Sequence, residues 1–162
     1  MKVLIMGRNE IEKMARNIFS ERTALISITD VGFEFANLTY APKFLLQVAF
    51  DDVDNDVFVD ILGRRPTEEE RLRIEGQYHM ISDEQAKAIA KFVVSVFDKV
   101  DCLICQCEHG QSRSAAVAAA ILEFRSRRGI SVFSHDHYYP NKVVFRKVLD
   151  ALKRTIEKNE EM

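Results

Sequence analysis

Short apolar runs alternate along this chain with stretches whose apolar residues recur every three or four positions. Val3-Leu4-Ile5-Met6 reads as a strand closed by Gly7. Asn9 followed by Glu12 has the spacing of a capping box and predicts a helix running to about Asn17. Thr23 to Ile28 alternates as a half-buried strand would, ended by Thr29-Asp30. Residues Val31 to Pro42 read as irregular, Phe44 to Phe50 as a third strand, and Asp51-Asp52-Val53-Asp54-Asn55-Asp56 as an acidic loop.

The second half is more regular. Thr67-Glu68-Glu69-Glu70 is a capping signature, so a short charged helix is expected within Gly63 to Met80. Ser82-Asp83-Glu84-Gln85 opens a helix that places Ile89, Phe92, Val93, Val96 and Phe97 on one face. Cys102 to Cys105 reads as a buried strand, and Ala115 to Leu122 as a central helix, apolar on nearly every side. Arg125 to Arg128 and Gly129 end that helix, and a last one starts near Asn141 with Phe145, Val148, Leu149, Leu152 and Ile156 facing inward. Strands alternating with helices predict an α/β fold: a central, mostly parallel sheet with helices on both faces. No repeat, low-complexity tract or linker interrupts the pattern, so residues 1–162 are read as a single domain.

Composition narrows the function. With 47% hydrophobic and 30% charged residues, the chain has the balance of a soluble globular protein. A net charge of -2 gives no electrostatic case for nucleic acid or a membrane as partner. The three cysteines crowd between Cys102 and Cys107, which is not a disulfide framework and points to a reducing compartment. Val3 to Met6 is too short for a signal peptide, and no stretch is long enough to span a bilayer, so a cytoplasmic location is expected.

The candidate chemistry lies between the fourth strand and the alanine-rich helix, in Cys107-Glu108-His109-Gly110-Gln111-Ser112-Arg113-Ser114. A loop there delivers backbone N–H groups and a helix N-terminus to one point, which makes an anion site. The helix start and Arg113 favour the ionised form of Cys107. The Arg113 fork matches two oxygens of a phosphate, Gly110 lets the backbone turn, and Ser114 is placed to donate a hydrogen bond to the sulfur. Together these residues predict nucleophilic displacement at phosphorus, with the cradle at Glu108, His109, Gly110, Gln111, Ser112 and Arg113. Cleaving the ester also requires a proton for the leaving oxygen, and the acidic loop after the third strand is the natural donor. That loop lacks the glycine and distal glutamate of a calcium site.

The segment Cys107 to Ser114 resembles the signature loop of cysteine-dependent phosphatases, the protein tyrosine phosphatase superfamily. The flanking sequence is most similar to compact dual-specificity-like members from bacteria and their phages, over roughly Ala24 to Leu152. By that resemblance Asp52 is the first choice for general acid, Asp51 the second and Asp54 a distant third. Pro140-Asn141 followed by Phe145 resembles the family segment whose Asn supports the phosphate loop from behind, although Asn141 would also cap the last helix. Relative to compact members, residues 63–80 look like an insertion. The family usually carries His before the nucleophile, where it helps to hold the loop and tune the thiol; Gln106 stands there in this chain.

The resemblance implies a phosphomonoesterase working through a cysteinyl phosphate, with no cofactor or metal. His135-Asp136-His137 has no third ligand pair and reads as open loop. Glu108 beside the nucleophile disfavours multiply charged ligands, so a monophosphate ester on a protein or small molecule is the expected substrate. The recognition loop of phosphotyrosine-dedicated members is not evident, which predicts a shallower site. Other readings of the same loop are a catalytically silent phospho-binding module, a sulfurtransferase or an arsenate reductase. Reductases of the tyrosine-phosphatase type carry the loop near the N-terminus, whereas this chain carries it late.

Overall fold

The computed structural model describes residues 1–14, 19–54, 59 and 62–160, with backbone alone at 74, 75 and 158–160. Strands β1 (Lys2–Gly7), β2 (Thr23–Thr29), β3 (Phe44–Ala49) and β4 (Cys102–Cys107) form one sheet in the order β1-β4-β2-β3. Every pairing is parallel, and Cys105 lies opposite Ile5 on one side and Ile26 on the other. Gly7, Thr29, Ala49 and Cys107 therefore end at the same edge, where the loops of a parallel sheet gather a site.

The two faces are covered unequally. On one, Ile26, Ile28, Leu103 and Cys105 pack with Ile89 and Val93 of α3 (Asp83–Val96), Val117 and Ile121 of α4 (Arg113–Ser126), and Val148 and Leu152 of α6 (Lys142–Glu160). On the other, Leu25 and Ile104 meet Ile11 of the five-residue α1 (Arg8–Glu12) and Ala36 of the loop after β2. Each large side chain fully buried in this way contributes about 1.5–3 kcal/mol.

Several local expectations are revised. The first helix is not capped by Asn9 and Glu12: its cap is Gly7, whose N–H donates to Glu10 Oε2 at 2.7 Å. Glu12 is drawn instead to Arg8 and the Asn37 N–H, and the helix ends there; the expected turn through Asn17 falls partly on 15–18, outside the described residues. β2 does not alternate, because all seven of its residues are buried. Its polar members are paired, Ser27 with Gln106 and Thr29 with the Glu34 carbonyl, which is how a strand covered on both faces tolerates them.

The later helices follow the capping signals. Thr67 and Glu70 cap α2 (Glu68–Glu75) reciprocally, and Ser82 and Gln85 do so for α3. Gln85 Nε2 also reaches the Ala49 carbonyl at 2.6 Å, tying α3 to the end of β3. α4 is buried from Arg113 to Ile121. Alanine suits it twice, as the best helix former and as a side chain small enough to let neighbours approach. Ala119→Leu should cost about 1–3 kcal/mol by overpacking.

α4 stops at Ser126 because Arg127, in the left-handed region at φ 57°, returns its N–H to Glu123 and Leu122 carbonyls. Gly129 is required just beyond, since a Cβ there would lie 2.7 Å from the Ala119 carbonyl oxygen. A four-residue helix α5 (Ile130–Phe133), which the sequence pattern did not announce, then sets Val132 against Ala115 and Ala119.

Candidate active site

β4 runs two residues further than its apolar pattern, so Cys107 is its last residue and is buried. The chain then turns through Glu108 to Ser112 into α4. Gly110 has φ 68°, and a Cβ on it would come within 2.5 Å of the Gly7 nitrogen. What a side chain would obstruct is thus the end of β1 rather than the hollow of the loop. Arg8 N–H donates to the Glu108 carbonyl at 3.0 Å, and Arg8 Nε to the Glu108 carboxylate at 2.6 Å, so the first residue of α1, directly after β1, holds the loop's outer wall.

Cys107 Sγ and Ser114 Oγ are 3.1 Å apart, both buried. The other thiols differ in kind. Burial, and then the neighbouring thiols Cys107 and Cys102, push Cys105 far up, leaving it a protonated small hydrophobe. Ser112 is the N-cap of α4, yet its hydroxyl does not cap the helix. It donates to Asp52 Oδ1 at 2.8 Å, so no side chain at the cap occupies the first-turn N–H groups. That leaves the positive end of a fourteen-residue helix facing the loop.

Arg113 is 3% exposed. Its Nη1 donates to Asp30 Oδ1 and to the Phe50 carbonyl, both at 2.8 Å, which fixes the guanidinium plane. Its Nε is buried and has no hydrogen-bond partner among the described residues. Asp30 and Phe50 each follow a strand end, so three strands cooperate to orient one side chain.

The two adjacent aspartates after β3 are treated differently. Asp52 is exposed and accepts on a single oxygen, Oδ1, from Ser112 and from Asn141 Nδ2 at 2.9 Å. Asp51 is held on both oxygens, by Val31 N–H at 3.1 Å and His79 N–H at 2.9 Å. Burial pushes the Asp51 carboxyl up. The backbone bonds from His79 and Val31, with the His79 side chain, outweigh it and hold the group below its ordinary value of 3.8. Through His79 the end of the 63–80 stretch is clamped to this carboxylate.

Asn141 serves two elements at once. Its Oδ1 accepts from Val143 and Val144 N–H, capping α6, while Nδ2 reaches Asp52 and the Val53 carbonyl. The same segment follows the loop's backbone: Tyr139 N–H donates to the Gln111 carbonyl at 2.9 Å. Gln106 is fully buried on the opposite face of β4 from Cys107. It accepts from Ser27 Oγ at 2.6 Å and donates to the Cys107 carbonyl at 2.9 Å, so a neutral amide holds the backbone at the thiol. His109 is exposed at the rim.

Asp30, Ser27 and Arg8 were not anticipated as site residues. The Arg113–Asp30 and Ser27–Gln106 pairs span 83 and 79 residues, and nothing in local spacing announces either. His135 Nδ1 accepts from the His137 N–H. Among the described residues, no group of three or more His, Cys, Asp or Glu side chains is arranged to hold a metal ion. The larger cavity, about 860 Å³, lies between Ala49, Tyr78 and α6 residues such as Arg146 and Lys147. It touches neither Cys107 nor Arg113, whereas a smaller one of about 590 Å³ is bordered by Glu108, His109 and Asp30. The chemistry of the loop, rather than cavity size, locates the site.

No protein-family model matches the chain, and no curated protein does. Solved structures do. Human tyrosine phosphatase-like serine/threonine/tyrosine-interacting protein superposes with a TM-score of 0.58 at 13% identity, over 95% of this chain and 93% of that one. PTPMT1 gives 0.53 at 14% identity, over 99% and 96%; another PTPMT1 structure is a complex with PI(5)P. Human DUSP28 gives 0.50 at 13% identity, over 96% and 94%. The chain has the compact α/β fold of dual-specificity-like cysteine phosphatases. Among the described residues, no helix is long and apolar enough to cross a membrane.

Proposed function

We propose that this chain hydrolyses phosphomonoesters in two displacements through a cysteinyl phosphate. The observation that carries the reading is the condition of Arg113: an immobilised, buried guanidinium with an unpartnered Nε, at the start of a helix whose cap side chain is turned elsewhere. Leaving such a donor unpaired costs about 1–3 kcal/mol, more for a charged group, and a phosphate oxygen removes that cost.

Cys107 attacks phosphorus as the thiolate, forming the S–P bond while the ester P–O bond breaks. Arg113 and the loop N–H groups bind the equatorial oxygens, whose charge they neutralise in the transition state. Asp52 gives its proton to the leaving oxygen. Two donors hold its Oδ1, which leaves Oδ2 to carry that proton. In the second step Asp52 takes a proton from water, the water oxygen bonds phosphorus, and the S–P electron pair returns to sulfur. The Ser114 hydroxyl, 3.1 Å away, stabilises the departing thiolate. Asp51 is the poorer acid, because both its oxygens are held and it is kept ionised. None of these steps calls on a metal or cofactor.

The ligand class follows from the loop's own charge. Glu108 stands in it and no lysine does, so a monophosphate ester on a protein or small molecule suits it better than a polyphosphorylated lipid headgroup. A thiol nucleophile also requires a reducing compartment such as the cytoplasm. The test is hydrolysis of p-nitrophenyl phosphate, expected to survive a chelator and to be inhibited by vanadate. Cys107→Ser should lose turnover and keep phosphate binding. Normal turnover by that variant would refute the mechanism, and binding without turnover by the native chain would make it a phospho-binding module instead.

A further inference from the structure

The larger cavity, about 860 Å³, takes no part in the chemistry above, yet its walls are braced by bonds between separate elements. Lys147 Nζ bonds Asp83 Oδ1 at 3.0 Å, joining α6 to α3. Gln85 Nε2 bonds the Ala49 carbonyl at 2.6 Å, joining α3 to β3. His79 is tied to Asp51 twice, its N–H reaching Oδ2 at 2.9 Å and its carbonyl accepting from the Asp51 N–H at 2.7 Å. A hollow braced in this way is preformed, and its volume falls within the range of small-molecule sites, about 300–1,000 Å³. Val31, Ala49, Tyr78, Met80 and Val143 give it an apolar lining, and Val31 and Tyr78 stay 37% and 38% exposed. The fold itself does not fill the space.

The charged groups of the lining are unevenly spent. Lys147 is engaged by Asp83, and His79 lies against Asp51. Arg146 makes no hydrogen bond or ion pair among the described residues, and neither does Asp150, one helical turn further along the same wall. Beside the cavity the cations prevail. The Lys147 bond holds the Asp83 carboxyl below its ordinary value of 3.8, and Lys87 and Arg154 act on it in the same direction.

We infer that this cavity binds an amphipathic anion, an apolar body carrying a single carboxylate head, at a site separate from the phosphate cradle. Fatty acids and aryl carboxylates belong to that class. The body covers the apolar lining, and Arg146 takes the head in a forked pair, with Lys147 as a second cation at the same mouth. Asp150 weakens the attraction, so the apolar body supplies most of the affinity and the head decides the sign of the charge accepted. The site stands apart from the hydrolytic reading, since the cavity touches neither Cys107 nor Arg113. It meets the loop after β3 through His79, which is clamped on Asp51 rather than on Asp52.

Calorimetry with the full chain compares octanoate, octanol and octylamine, each below the concentration at which it forms micelles. Octanoate should bind with one molecule per chain, about tenfold more tightly than octanol, and octylamine should bind least. Arg146→Ala should bring octanoate down to the affinity of octanol and leave octanol unchanged, whereas Asp150→Asn should tighten octanoate a few-fold. Both side chains are exposed on α6, so both variants should fold, which thermal melting checks. The methyl resonance of Met80, assigned by its loss in Met80→Leu, should shift as octanoate is added. Vanadate, seated on Arg113, should not displace the ligand. Absence of saturable binding, octylamine binding as tightly as octanoate, or no effect of Arg146→Ala overturns the inference. Displacement by vanadate overturns it too, because the anion then sits in the phosphate cradle. No turnover is read, so failure of the hydrolytic mechanism would leave this result standing, and the reverse holds as well.

Discussion

Two loops leave the same edge of the sheet, one after β4 and one after β3, and they are built on opposite plans. The loop after β4 is framed by buried Cys107, Arg113 and Ser114, and continues directly into the most buried helix of the chain. The loop after β3 carries an exposed Asp52 and is held by groups far away in sequence, Ser112, Asn141, Val31 and His79. The first carries its functional groups in one contiguous stretch, braced from outside by Arg8, Asp30 and Tyr139, whereas the second presents an exposed carboxylate placed only by its surroundings. Under the proposed mechanism, binding and nucleophilic attack would fall to the loop after β4 and proton transfer to the loop after β3.

The sharpest way to break that division is to remove one functional group from each loop. Cys107→Ser should lower kcat by about 10⁴-fold or more, with phosphate still bound. Arg113→Lys, which keeps the charge and loses the fork, should cost about 10²–10³-fold in kcat/KM. Asp52→Asn should lower kcat by about 10²–10³-fold and flatten the alkaline limb of the kcat/KM pH profile, the side on which a proton donor is lost. Asp51→Asn should leave kcat within a few-fold, and the reverse order for the two aspartates would contradict the assignment of roles.

Smaller effects sharpen the comparison. Gln106→Leu strands the Ser27 hydroxyl and the Cys107 carbonyl in the interior, for a loss of about 1–3 kcal/mol in denaturant unfolding. Gln106→His tests whether an imidazole can replace the amide. Asp51→Asn should be felt in stability rather than rate. The native carboxyl lies below its ordinary value of 3.8, so its contribution is fully present above that pH and is lost as pH falls through the lower folded value. The stability gap between native and Asp51→Asn proteins should accordingly be open at neutral pH and close in acid, as followed by urea midpoints.

The same contrast explains what could be read from sequence. The strands, the buried α4 and the order Cys107…Arg113-Ser114 are local patterns, and each was legible because neighbouring residues make them. Asn141 was found through a short Pro-Asn segment, and the structure adds that its amide faces Asp52 while its oxygen caps α6. The choice between Asp51 and Asp52 was not legible from composition or spacing. Two adjacent carboxylates have the same chemistry until distant N–H groups claim one of them. Asp30 and Ser27 were missed for that reason too. The first helix misled differently: Asn9 and Glu12 carried the right spacing, but Glu10 captured the Gly7 N–H and Glu12 was drawn to Arg8 and Asn37.

The central claim is that one sulfur carries the phosphoryl group between the two steps. The direct measurement is mass spectrometry of peptides from enzyme quenched during turnover of p-nitrophenyl phosphate. The account predicts a phosphoryl group on the peptide containing Cys107, absent from Cys107→Ser and accumulating when the second step is slowed. Turnover with Cys107 unmodified, or with the phosphoryl group on another side chain, would contradict it.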